Sequence, residues 1–482
     1  MPAVTRKPLV VAAVMASTFM IAIEATIVST AMPQIAGQLG DLHLYAWVFS
    51  AFLLTQTATT VVFGKLADLF GRKPVLLGGI AVFLLGSLLC GLAWSMPSLV
   101  LFRLVQGIGA GAIQPVSLTV IGDLYTPAQR GKVQGFLASV WGISSVVGPL
   151  AGGLIIQNVS WAWVFWINLP IGALAVLGFV LFLHEDVARA RRSIDVLGAV
   201  LFSAAVAALM MAITQFGQSA TRGAAVSGAV CLACFALFLF QERRAADPMI
   251  AFSLWSRRPI ATANAATLLS GMTIIGLTTF VPLYVQGVLE RSALVAGFAL
   301  TAMVMGWPVG ATIAARNFAR YGLRTTLLFG AALLPAGATV FVLLWPGASP
   351  LLAGLGSLVI GLGMGFLSTS AIVIIQDCVG WSERGAATAS NIFSRNLGST
   401  LGATLLGGVL NLSLAGHGDL DQVRELLDHP AAAGGAAVRA ALGNALHVTF
   451  WGVFAAAFCT LLVALLVPPV VVVEKADPRP AA

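Results

Sequence analysis

Apolar runs of about 20 residues recur from one end of this chain to the other. Each is long enough to cross a hydrocarbon core of ~30 Å at ~1.5 Å per helical residue. That pattern excludes most folds. Hydrophobic residues make up 59% of the 482 and charged residues only 9%, against roughly 25% charged in ordinary soluble domains. No stretch is left over for a sizeable soluble domain, so the chain reads as an all-α, multi-pass membrane protein. Arg6 and Lys7 followed by LVVAAVMAS resemble the start of a secretory signal, but apolar character continues past Ser17 to Ala31 and marks a resident first span.

Prolines and charge clusters divide the chain into fourteen spans, at about 9–31, 46–66, 75–94, 99–122, 133–156, 162–183, 196–216, 224–241, 260–287, 293–315, 325–345, 350–375, 385–411 and 445–467. With the amino terminus placed in the cytoplasm, 20 of the 26 Lys and Arg fall in inside loops. Four (Arg222, Arg291, Arg424, Arg439) fall outside, and two (Arg103, Arg395) fall within spans. This positive-inside bias predicts cytoplasmic termini in a cell inner membrane, and it explains the net charge of +8 without any nucleic acid partner. The longest outside loop, 412–444, contains DLDQVRELL, a short helix started by Asp419 or Asp421. Cys231 and Cys234 have CxxC spacing but no nearby His or second pair, so they read as packing residues and no metal is expected.

A shift of 254 residues superimposes two regions without a gap. Gly107, Gly109 and Gly111 fall on Gly361, Gly363 and Gly365. Asp123 falls on Asp377, Arg130-Gly131 on Arg384-Gly385, Gly148 on Gly402, and Gly153 on Gly407. Both copies run in the same membrane sense. The expected organisation is a six-helix bundle over 1–190, two linker helices within 191–258, and a second six-helix bundle over 259–482. Parallel six-helix repeats build one class of secondary transporter, with the substrate between the halves. No GxxxxGK[ST] phosphate loop occurs, and the GxGxG strings lie inside spans, where close helix packing accounts for them.

Three further strings carry function: GKLADLFGRK at 64–73, RLVQG at 103–107, and GFLASVWGISSVVGPLAGG at 135–153. Gly64 and Gly71 permit close approach and a tight turn. Asp68 and Arg72 are spaced to interact, and Asp68 can also face a helix N-terminus of the other half. Gly135, Gly148, Pro149, Gly152 and Gly153 let their helix bend and pack tightly. Together these strings closely resemble the signatures of the major facilitator superfamily over essentially the whole chain. The third resembles the motif associated with its antiporters. TIVSTAMPQI in the first span resembles the first-helix signature of the fourteen-span drug:proton antiporter branch. The resemblance implies that the loop with Gly64, Asp68, Gly71, Arg72 and Lys73 latches an outward-facing state. The chain departs from the family pattern at Leu69, usually basic, at Ser144, usually Gly, and at Glu24, usually Asp.

Glu24 is the one carboxylate in the first apolar span. Counting from the outside face at ~1.5 Å per residue puts Glu24 and Arg103 in similar layers of the same half. Ionisable groups at such depth normally face a cavity or each other. Burial opposes ionisation of Glu24 and a nearby Arg103 favours it, so the pair reads either as a proton carrier with its tuning cation or as a static packing bridge. Arg395, near mid-membrane, reads as a contact for substrate or lipid headgroup, or as a cap or partner of Asp377. Gln34, Trp141, Asn264, Trp307 and Asn391 are candidates to line the substrate cavity. The leading function is a proton-driven exporter of amphiphilic small molecules, working as a monomer on the proton gradient without a cofactor. A narrow exporter of one metabolite, amino acid, siderophore or lipid, and a membrane sensor that does not transport, are the alternatives. No nucleophile–base motif points to an enzyme.

Overall fold

Long apolar sequence gives long helices, and a computed structural model of the chain is almost wholly helical. The structure describes residues 5–39, 44–185, 195–217, 221–245, 252–291, 293–345, 347–414 and 435–469. The helix expected at DLDQVRELL lies outside them.

The helices, in order, are α1 (Lys7–Leu39), α2 (Tyr45–Phe70), α3 (Arg72–Gly91), α4 (Met96–Leu124) and α5 (Pro127–Asn158). After a short turn, Trp163–Trp166, follows α6 (Asn168–Phe182). Next come α7 (Val196–Gly217), α8 (Thr221–Glu242) and α9 (Arg258–Gly287). The run Ala293–Val342 breaks at Gly322 into α10 (293–321) and α11 (323–342). The last three are α12 (Pro350–Asp377), α13 (Arg384–Leu414) and α14 (Gly435–Leu465). Among the described residues, 13 helices are long and apolar enough to cross a membrane. Helix α5 is not in that set, and several of its side chains lie outside the described residues.

Helix ends follow local chemistry. Pro97, Pro127, Pro259 and Pro350 sit in first turns, where a missing N–H leaves no bond unmade. Ser95 and Ser98 cap α4 reciprocally: the Ser98 amide donates to Ser95 Oγ, and the Ser95 amide donates to Ser98 Oγ at 3.1 Å. The Glu185 carboxylate accepts from the first two amides of α3, Arg72 N at 2.9 Å and Lys73 N at 2.8 Å, where the positive helix end favours it. Gly71 (φ 94°, ψ 159°) and Gly322 (φ 78°, ψ 162°) make two sharp helix-to-helix turns in backbone space open essentially to Gly alone.

Small residues set the helix spacing. A Cβ on Gly109 would lie 2.6 Å from Gly79 O, and one on Gly111 would lie 2.9 Å from Gln56 O. On α12, a Cβ at Gly363 would lie 2.8 Å from Gly330 O. The GxGxG strings are therefore packing strips, as their position within spans predicts. Buried apolar side chains form one large core among α9–α14 and two among α1–α6. A fourth, smaller cluster joins Phe202 of α7 and Phe238 of α8 to Ala58 and Val61 of α2 and Phe393 of α13. The outward side of α8 is exposed at Val226, Leu232, Leu237 and Phe240, as suits a helix facing lipid. We call the face where α1 begins, with the turns at Gly71 and Gly322, the N-face.

A Cβ on Gly322 would meet nothing within 4 Å, so its replacement isolates the backbone cost. Gly322→Ala is expected to destabilise the purified protein by about 1–3 kcal/mol, read as an earlier thermal unfolding midpoint in detergent.

Candidate functional site

Two charged assemblies lie inside the helix array. The first is built around Glu24. Its carboxylate, 0% exposed, forms an ion pair with Arg103 of α4. Asn168, the first residue of α6, donates from Nδ2 to the other carboxylate oxygen and to Ser87 Oγ at 3.3 Å. Arg103 also donates to Val48 O at 3.0 Å and to Gln106 Oε1 at 2.7 Å, and it lies over the Phe52 ring at 4.3 Å. Gln106 Nε2 then donates to Ser87 Oγ at 2.7 Å, closing a ring of polar groups from α1, α3, α4 and α6. One atom is left over: Asn168 Oδ1 is buried with no hydrogen-bond partner. The expected meeting of Glu24 and Arg103 occurs. The depth count applied to them places Ser87, Gln106 and Asn168 in the same layer, so the rest of the ring had a readable signal. Removing one member of a pair buried this deeply costs about 3–5 kcal/mol, because its partner is left uncompensated.

The second assembly closes the N-face between α1–α6 and α9–α14. Asp68, near the end of α2, accepts from Gly385 N at 2.9 Å and Ala386 N at 2.8 Å, the opening turn of α13. A carboxylate there satisfies free amides and meets the positive helix end. Arg72 bonds Asp68 at 2.9 Å and Asp123 at 3.0 Å, donates to Trp381 O at 2.6 Å, and stacks on the Trp381 ring at 3.9 Å. A Cβ on Gly64 would lie 2.7 Å from Gly385 O, so Gly64 admits α13 to this distance. Lys73 instead turns to Val180 O at 3.0 Å, within α1–α6. Two more bridges cross: Arg384 to Asp123 at 2.6 Å, and Arg130 to Asp377 at 2.8 Å. The sequence repeat superimposes these arginines on each other and these aspartates on each other. The structure pairs each arginine with the aspartate from the other copy.

The glycines of the 135–153 string divide by neighbour. Gly135 faces α10, where a Cβ would lie 2.5 Å from Thr312 Oγ1. Gly148 packs on Thr26 of α1, whose hydroxyl donates to Ser144 O at 3.0 Å. Gly152 is buried, while Gly153 has open space around it. The side chain of Pro149 is outside the described residues.

Of the cavity candidates, Asn264 and Asn391 come together: Asn391 Nδ2 donates to Asn264 Oδ1 at 3.2 Å and to Thr267 Oγ1 at 2.9 Å. Asn264 donates in turn to Ser390 at 2.9 Å. Both asparagines are thus occupied in joining α9 to α13. Trp141 on α5 is exposed and Trp307 on α10 half-buried, next to the contact of Gly142 with Met305. Gln34 is half-buried on α1, away from the Asn264–Asn391 pair. Arg395 does not pair with Asp377, which Arg130 holds instead.

The chain belongs to the Major Facilitator Superfamily, whose family model matches residues 14–403. It is 33% identical to the "Multidrug transporter protein MdtP" of Bacillus subtilis (strain 168) over 410 residues, which is 84% of this chain and 76% of that protein. It is 35% identical to "Multidrug resistance protein 3" of the same organism over 403 residues, 83% of this chain and 79% of that one. Among solved structures, the human organic anion transporter MFSD10 (TETRAN) superposes with a TM-score of 0.67 at 16% identity, covering 95% of this chain and 99% of that one. The proton:xylose symporter XylE superposes at 0.63 with 12% identity, covering 95% of each. The fold is therefore the all-helical one of this superfamily, in a multi-pass membrane protein of a family of transporters rather than enzymes.

Asp68→Asn removes the charge that holds the α13 amides. It is expected to raise the population open at the N-face roughly tenfold, since bonds to a charged group contribute about 1.5–3 kcal/mol. Half-buried Cys378 beside the gate provides the readout. With the other four cysteines replaced, its alkylation by a maleimide is expected to speed up in proportion.

Proposed function

We propose that the protein is a proton-coupled exporter of amphiphilic small molecules, a fourteen-span drug:proton antiporter of a cell inner membrane. Its two six-helix bundles, 1–190 and 259–482, rock about a central cavity, with linker helices within 191–258. The names of the two Bacillus relatives support drug efflux. The N-face is cytoplasmic in this reading, so the closed gate corresponds to an outward-facing state. Asp68 and Arg72 latch that state, aided by Gly64, Gly71 and Lys73. Protons take the place of a cofactor, and a single chain suffices.

The observation that carries proton coupling is the ring around Glu24. An ionised Glu24 uses Arg103 and the Asn168 amide group as donors. A protonated Glu24 needs an acceptor for its new O–H, and rotation of the Asn168 side chain supplies the spare Oδ1. A protonated Glu24 then keeps a hydrogen-bond partner on α6. Protonation also weakens the hold of Glu24 on Arg103, which links α1 to α4. Loading a proton from outside and losing it inside then biases which way the bundles open. A static bridge needs no spare acceptor, and that favours the carrier reading.

Proteoliposomes with an imposed pH gradient test this. Glu24→Gln is expected to reduce gradient-driven transport of a fluorescent dye to the level of protein-free liposomes, and Glu24→Asp to keep a measurable part. Gradient-driven transport by Glu24→Gln at the parent rate would remove Glu24 from the mechanism, and no proton flux with any dye of a broad panel would favour the sensor reading.

A further inference from the structure

The nine carboxylates among the described residues all have partners other than Arg395. Glu24 holds Arg103, Asp68 holds Arg72, Asp123 holds Arg72 and Arg384, and Asp377 holds Arg130. Glu383 and Glu290 pair with Arg257 and Arg439 near the surfaces. Glu185 and Asp195 accept from amides, and Glu242 is likewise engaged. Arg395 has neither an ion pair nor a side-chain hydrogen bond among the described residues. It lies eleven residues into the run that opens α13 at Arg384, about 16 Å from the N-face at ~1.5 Å per residue. That is mid-membrane.

Where it points follows from its neighbours. Phe393 packs on Phe202 of α7 at 6.2 Å and on Trp255 at 6.0 Å, and Leu397 joins the same cluster. At roughly 100° per residue, Arg395 faces nearly the opposite way and shares the side of Asn391, which bonds α9. Helices α2, α4, α7, α9, α12 and α14 all contact α13, and the side Arg395 shares with Asn391 is turned to α9 and away from α7. Exposure also changes abruptly here. Residues 387–394 of α13 are all buried, forming the plug above the gate, and Arg395 is the first beyond them that is half-buried.

We propose that Arg395 is the charge selector of the transport cavity: it receives the oxyanion, carboxylate or phosphate-like, of an amphiphile, and so favours acidic over cationic substrates. The selector rests on the exporter reading and names the substrate class of its site. A guanidinium facing an interior space at this depth keeps its charge only with a counter-ion or water, and its planar fork suits an oxyanion better than any neutral group. The one deep carboxylate of α1–α6 is already balanced by Arg103, so the uncompensated charge above the plug, among the described residues, is positive.

The test is equilibrium binding of dansyl undecanoate and of its methyl ester to the detergent-purified full chain, read by fluorescence. The parent is expected to prefer the carboxylate over the ester about tenfold. Arg395→Gln is expected to bring that ratio close to one, and Arg395→Lys, which keeps the charge, to retain several-fold preference. Equal ratios in the parent and Arg395→Gln overturn the proposal. The lipid arm is mass spectrometry of co-purified lipid: phosphatidylglycerol retained by the parent and lost in Arg395→Gln, with no carboxylate preference in either, makes a headgroup the occupant and overturns the substrate role. No pH gradient enters the measurement, so its failure and that of the Glu24 assay are separate outcomes.

Discussion

A charge inside a bilayer must be answered by another charge, by directed dipoles or by water, and the interior of this protein is organised by that demand. Asp68 sits where a helix offers two bare amides and a neighbouring guanidinium. Glu24 sits where four helices converge their polar side chains on it. These charges join elements that apolar contact alone would leave free to slide, because hydrocarbon drives no preference for helix over lipid. The two assemblies differ in one respect. The N-face assembly joins α1–α6 to α9–α14, whereas the Glu24 ring lies wholly within α1–α6.

Much of this was legible from residue order, for identifiable reasons. Regular rise along a helix converts position into depth, so residue order alone puts Glu24 and Arg103 in one layer. Same-sense duplication placed Asp123 and Asp377, and Arg130 and Arg384, in register. Exchange between copies was not legible, since a repeat specifies likeness and not which surface meets which. Asp68 could be matched to a helix start of the other half, but the choice of Gly385 and Ala386 depends on a three-dimensional approach set by Gly64. Ser87, Gln106 and Asn168 share the layer of Glu24 and Arg103, but uncharged polar residues are common in spans, and depth alone does not single these three out. The turn at Gly322 also went unread: its surroundings, ARYGLR, resemble the Gly71 loop only loosely. Asn264 and Asn391 were expected to line a cavity, and instead use their amides on each other. Polarity in a span reports the need for a partner without saying whether that partner is a ligand or a helix.

The two asparagine arrangements are instructive side by side. In the Asn264–Asn391 pair, both side-chain amide groups donate and Asn264 Oδ1 accepts, joining α9 to α13. At Asn168, one acceptor remains unmatched. A buried unsatisfied oxygen is unfavourable.

The aromatic cluster that seats α7 and α8 has a geometric consequence. Phe202 touches α13 through Phe393 and lies in the same cluster as Val61 of α2, so the extra helix pair straddles the line where α2 meets α13. Ser203 donates to Ala58 O and Thr404 to Ile213 O, pinning the pair to both sides of that line. The pair thus bridges α2 and α13 along one edge of the helix array and covers their seam on that side. The opposite margin, where α5 meets α10 at Gly131 and Gly135, is held instead by direct helix-to-helix packing.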